Sequence, residues 1–110
     1  MPEYELMVVT RPTMDDAGLN SLAETLAKHV TDAEGEVTLS GQLVDRKGNV
    51  AAVEGEGWKT RRLAYLIEGC KEGYYVVLQF TSPPTLIATL ERGLELDENV
   101  LRYMTTRRDD

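Results

Sequence analysis

Two stretches of helical periodicity, each bracketed by short β-branched runs, constrain this chain more than any other feature. In the first, Leu19, Leu22, Ala23, Leu26, Ala27 and Val30 recur at three- and four-residue steps, one apolar stripe along a helix. Thr13 stands ahead of it as the N-cap, Asp15 and Asp16 complement the dipole in the first turn, and Gly35 supplies the stop. In the second, Ser82 opens a helix with Pro83 and Pro84 in its first turn, where a missing N–H costs little. Leu86, Ile87 and Leu90 form its stripe, Gly93 ends it, and Leu94 and Leu96 pack beyond the stop.

Strand signals fill the remaining stretches. Tyr4 to Thr10 is short and largely apolar, which suits a strand near the centre of a sheet, and Pro12 blocks further pairing. Glu36 to Leu39, Arg61 to Ile67, Tyr74 to Phe80 and Val100 to Thr105 also read as strands, with Glu68 to Gly73 as a turn. Leu43-Val44 and Val50 to Val53 flank a turn at Gly48-Asn49, so residues of about 40–57 form an inserted hairpin and acidic, glycine-containing link. The resulting order, β-α-β-β-α-β, has two right-handed crossovers. It predicts an α+β, ferredoxin-like sandwich, a four-stranded antiparallel-type sheet with both helices on one face. Residues 1–106 form the single domain and 107–110 a short, frayed tail.

The size agrees, because 110 residues are enough for one modest core. No run of about 18 apolar residues marks a membrane span, and Met1-Pro2-Glu3-Tyr4 lacks the basic-then-apolar pattern of a secretory signal. Cys70 is the only cysteine, so neither an intrachain disulfide nor a multi-cysteine zinc site is open to the chain, and a reducing, intracellular compartment is expected. Charge is uneven. Residues 1–55 carry ten acids and four bases, and residues 56–110 nine acids and eight bases. A net charge of −7 excludes binding nucleic acid with the whole surface and confines such contact to local patches. Two exist: Trp58-Lys59-Thr60-Arg61-Arg62, and the chain's end with Arg102, Arg107 and Arg108.

No catalytic constellation stands out. His29 lies on the first helix with no assignable nucleophile or carboxylate partner, and Cys70 has no resolving cysteine. The acidic pairs Asp15-Asp16 and Asp97-Glu98 sit at element ends, where dipole and solvation explain them, and no metal-ligand spacing or cofactor motif is present. The strand order admits an RNA-recognition reading through Tyr4, Tyr74, Tyr75 and Phe80, although the basic-glycine-aromatic signature is missing. An acylphosphatase-like enzyme would use Arg11 near the first strand's end with Asn20, against the opposing Asp15-Asp16 pair. A small ligand-binding module is a further alternative.

Trp58 to Ile67 resembles the signature of the bacterial small-subunit ribosomal protein S-six (S6) family: tryptophan, glycine, basic residues, then Leu-Ala-Tyr-Pro-Ile. Three further segments are similar in the same order: Tyr4 to Val9 with Arg11-Pro12, Gly73 to Leu78, and Leu94 to Tyr103. Lys59 stands in place of the glycine, Thr60 of a basic residue and Leu66 of the proline, while Glu3 replaces a base that often precedes the first strand. The resemblance implies a non-catalytic constituent of the small ribosomal subunit. It implies a heterodimer with ribosomal protein S-eighteen (S18), joined to 16S rRNA in the central domain, on a cytoplasmic or organellar ribosome. No cofactor, metal, membrane or small-molecule substrate is implied. Lys59, Arg61, Arg62 and Arg102 are then the expected RNA-binding residues, and Trp58 and Tyr65 the expected partner-binding ones.

Overall fold

A computed structural model of the chain describes residues 1–108. Strands β1 (Glu3–Thr10), β2 (Glu36–Leu43), β3 (Val50–Ala51), β4 (Thr60–Ile67), β5 (Cys70–Thr81) and β6 (Val100–Arg107) and helices α1 (Asp16–Asp32) and α2 (Thr85–Glu95) follow one another as β1-α1-β2-β3-β4-β5-α2-β6. The sheet runs β3-β2-β5-β1-β6, every pair antiparallel, with β4 also paired to β5. Two helices on an antiparallel sheet make the ferredoxin-like sandwich that the periodicities predict, although with six strands in place of four.

One extra strand comes from a strand of the simple plan being split into β2 and β4, and the other, β3, from the inserted segment. β2 pairs with the second half of β5, from Glu36 opposite Thr81 to Gln42 opposite Val76. β4 pairs with its first half, from Thr60 opposite Tyr74 to Arg62 opposite Glu72. The two therefore lie in succession along the same flank of β5. The inserted segment leaves the ladder after β2, makes a two-residue ladder with it as β3, and returns at β4.

Strand alternation sorts the sheet into two faces. Leu6 and Val8 of β1 and Val76, Leu78 and Phe80 of β5 pack against Leu19, Leu26 and Val30 of α1 and Leu86, Leu90 and Leu94 of α2. Val9, Val77 and Leu63 are buried outside that cluster, on the opposite, open face.

Several element ends differ from expectation. The N-cap of α1 is Asp15, whose carboxylate accepts from the Gly18 N–H at 2.8 Å, while Thr13 lies outside the helix. Glu34, at φ 64°, takes the left-handed position after α1, and the Gly35 N–H donates to the Val30 carbonyl. α2 begins at Thr85 without a side-chain cap, because Pro83 and Pro84 precede the helix, and it runs through Gly93 to Glu95. Leu94 is therefore a buried helical residue and Leu96 is exposed. The β4–β5 turn contracts to Glu68-Gly69, both at positive φ, the two-residue geometry that suits strand twist, so Cys70 already belongs to β5. Arg107 is not frayed: it stands in β6 opposite Tyr4, and the Arg108 N–H donates to the Glu3 carbonyl. Asp109 and Asp110, also assigned to a tail, lie outside the described residues.

Candidate functional site

The open face owes its shape to β4. Between Arg62 and Ile67 the pairing with β5 is interrupted, so Leu63 to Leu66 leave the ladder. Alternation turns Leu63, Tyr65 and Ile67 toward the open face, where they line an apolar groove with Met7, Val9 and Met104. Tyr65 is 61% exposed and Met104 57% exposed, a considerable apolar display for one face of a small domain.

Arg102 on β6 closes one side of this groove. Its guanidinium donates to the Tyr65 hydroxyl and lies 5.7 Å from the Tyr65 ring centroid, a cation–π contact between residues 37 positions apart. A second groove adjoins the first and shares Leu63, Ala64 and Tyr75 with it. Arg61 and Arg62 line the second groove, and Arg46 reaches it from the inserted loop. The arginines of β4 and β6 thus border one continuous surface.

Each base on this surface is held differently. Arg61 is half-buried and donates to the carbonyls of Leu43 and Val44, tying β4 to the end of β2. Arg62 is exposed. Lys59 is ion-paired with Glu56 one turn of chain away, and its ammonium holds the Glu56 carboxyl below the usual carboxylate range. Of the four predicted RNA-binding residues, then, Arg61, Arg62 and Arg102 border the joined grooves, and Lys59 sits where the chain enters β4.

The two predicted partner-binding aromatics part company. Tyr65 stands on the open face. Trp58, 8% exposed, belongs to the helix-side core, where its Nε1–H donates to Asn20 Oδ1 at 2.8 Å. The indole is buried because residues 57–59 return the chain to the sheet beside α1. Gln42 fixes that return by donating to the Gly57 carbonyl and accepting from the Lys59 N–H. Similar burial removes the aromatic platform of the RNA-recognition reading. Tyr4 and Phe80 pack together in the core with ring centroids 5.7 Å apart, Tyr74 packs against the same core, and only Tyr75 belongs to the open face.

The residues of the acylphosphatase reading are also committed elsewhere. Arg11 donates to the Glu98 carbonyl at 3.0 Å and pairs with Glu68 at 2.9 Å, joining the β4–β5 turn to the turn before β6. Asn20 serves Trp58. No group of three or more His, Cys, Asp or Glu side chains among the described residues is placed to hold a metal ion. Arg46 is the surface residue that sequence reading passes over. Its signal, a base in a turn, becomes meaningful only once β2 and β4 are seen to lie end to end.

The profile of the family described as Ribosomal protein S6 matches residues 38–107. The small ribosomal subunit protein bS6 of Symbiobacterium thermophilum is 35% identical over 107 residues, 97% of each chain. That of Cutibacterium acnes is 36% identical over 107 residues, 97% of this chain and 96% of its own. The crystal structure of 30S ribosomal protein S6 from Thermotoga maritima has the same fold, with a TM-score of 0.77 at 21% identity over 97% of this chain and 87% of that one.

Proposed function

The chain belongs to the ribosomal protein S6 family, and from that premise we propose that it is a non-catalytic constituent of the small ribosomal subunit that joins 16S rRNA together with ribosomal protein S18. The observation that carries the reading is the open face. Apolar grooves and arginines meet there on a molecule whose net charge is −7. Such a surface suits a cationic protein laid over the apolar part and RNA phosphates at its arginine border. The general negative charge repels RNA elsewhere.

Arg62 and Arg102 are the proposed phosphate contacts, with Arg61 acting beside them and Lys59 at the margin; Tyr65 is the proposed partner contact. Arginine's planar fork suits phosphate oxygens. Trp58 is left to the core. The setting proposed is the cytoplasmic ribosome of a bacterial-type cell, with the chain acting as one domain that includes Arg107 of β6.

Co-sedimentation with small subunits tests this reading. Arg62→Glu with Arg102→Glu is expected to reduce incorporation at least tenfold while circular dichroism shows the fold intact, because charge reversal at two phosphate contacts removes attraction and adds repulsion. Wild-type incorporation by the double variant removes these residues from the RNA interface. Failure of the wild-type chain to enter subunits when S18 is present removes the whole reading.

A further inference from the structure

Two guanidiniums in the second groove have no ion-pair partner among the described residues, although the Asp45 carboxylate lines the groove as well and Glu72 stands opposite Arg62 in the ladder. Arg46, on the inserted loop, and Arg62, on β4, are both exposed, and neither side chain has a hydrogen-bond or ion-pair partner among the described residues. Both line a groove of about 550 Å³ between the loop and β4. Arg61 lines it too, but its guanidinium is occupied by the Leu43 and Val44 carbonyls and so anchors the loop's base.

The loop that carries Arg46 is internally built. The Asp45 carboxylate accepts from the Lys47 N–H at 2.8 Å, the Asn49 N–H at 3.2 Å and the Asn49 side-chain amide at 2.7 Å. Its oxygens are turned to the loop's own donors, and the two arginines remain open to an external acceptor. Behind them, the half-buried ring of Tyr75, with Leu63 and Ala64, makes an apolar wall.

Unpaired guanidiniums beside an aromatic wall have the make-up of a seat for one nucleotide. Phosphate oxygens accept from arginine forks, and a base has a π-face to lay on the tyrosine. The volume falls in the range of about 300–1,000 Å³ usual for sites of that size. An acidic peptide would satisfy the arginines and leave the aromatic wall unused. We propose that this groove seats one unstacked nucleotide of the RNA, its phosphates on Arg46 and Arg62 and its base against Tyr75. The proposal rests on the RNA-contact reading above. It adds Arg46 and Tyr75, which lie outside the basic run at the start of β4, and it gives the inserted loop a task.

The test uses the full chain with S18 and a labelled transcript of the 16S central domain, with binding measured across a salt series. Arg46→Ala and Arg62→Ala are each expected to lower the slope of log affinity against log salt by about 0.7–0.9, the loss of one phosphate contact. Tyr75→Leu is expected to weaken binding about tenfold, as the loss of one stacked base does, with the slope unchanged. If Arg62→Ala lowers the slope while Arg46→Ala and Tyr75→Leu match the wild type, the seat is overturned and the RNA-contact reading stands. If Arg46→Ala instead weakens capture of S18 with no RNA present, the groove is a protein surface and the seat is equally overturned. If the wild-type chain with S18 fails to bind the transcript, the broader reading fails and the seat with it. Should Tyr75→Leu not fold, the slope of Arg46→Ala decides, since that side chain is exposed and without partners among the described residues.

Discussion

Gln42 shows how much one buried amide can organise. It is 8% exposed, and its two ends bind the Gly57 carbonyl at 3.0 Å and the Lys59 N–H at 2.9 Å, so the segment that left the sheet is brought back in register. Gln42→Leu keeps the bulk and strands both backbone groups, and an unpaired buried donor or acceptor costs about 1–3 kcal/mol. Urea unfolding followed by Trp58 fluorescence is expected to report a loss in that range; a change under about 0.5 kcal/mol would show that water replaces the amide. Tyr103 makes a different statement. Its hydroxyl donates to Glu95, which, with the nearby acids, pushes the phenol up to about 12. A raised phenol favours the folded state below the ordinary tyrosine value of about 10, and that contribution disappears as the pH climbs through about 12. Ultraviolet titration is expected to find one late tyrosine that moves down toward 10 in Glu95→Gln. None of these partners is visible in sequence, since Gln42 and Lys59 are 17 positions apart and alternation says only that Gln42 faces the core side.

Elements were more legible than residues, and their ends were the weakest part. The stripe of α1 and the apolar run of β1 identified themselves because periodicity reports burial directly. Caps are decided by single hydrogen bonds, and there Asp15 displaced Thr13 by accepting from Gly18. Asp15→Ala is accordingly expected to cost about 1 kcal/mol, within the usual range for an N-cap, and Thr13→Ala less than about 0.5. Thermal melts of the two variants check this, and the reverse ranking would return the cap to Thr13. The stop signal at Gly93 failed because burial of Leu94 holds α2 helical one turn further, a tertiary gain that outweighs the modest propensity penalty of glycine. The β4–β5 turn was overestimated because Gly69 is needed for its positive φ and Gly73 for a different reason. A Cβ at Gly73 would collide with the Thr10 carbonyl of the neighbouring strand. As for the open-face surface, its arginines were legible as a local run, whereas the burial of Trp58 and the arrival of Arg46 depend on how β2, β3 and β4 share one flank of β5.

At the scale of the whole molecule, the charge distribution sets the approach of partners. A net charge of −7 draws in a cationic protein over distances comparable to the Debye length, about 8–10 Å at physiological salt. Association with S18, the partner proposed above, is therefore expected to slow about tenfold or more as ionic strength rises from about 0.05 to 0.3 M, with a much smaller change in the dissociation rate. Stopped-flow mixing measures both, and an association rate indifferent to salt would assign recognition to the apolar groove alone. The sheet order has one more consequence. β1 is made first, yet its two neighbours are β5 and β6, both from the far half of the chain. A nascent polypeptide interrupted before Cys70 holds a central strand with neither flank, so its ladder of donors and acceptors must wait, solvated, for the closing third of translation. Assembly of this sheet thereby becomes a late event, tied to the near-completion of synthesis.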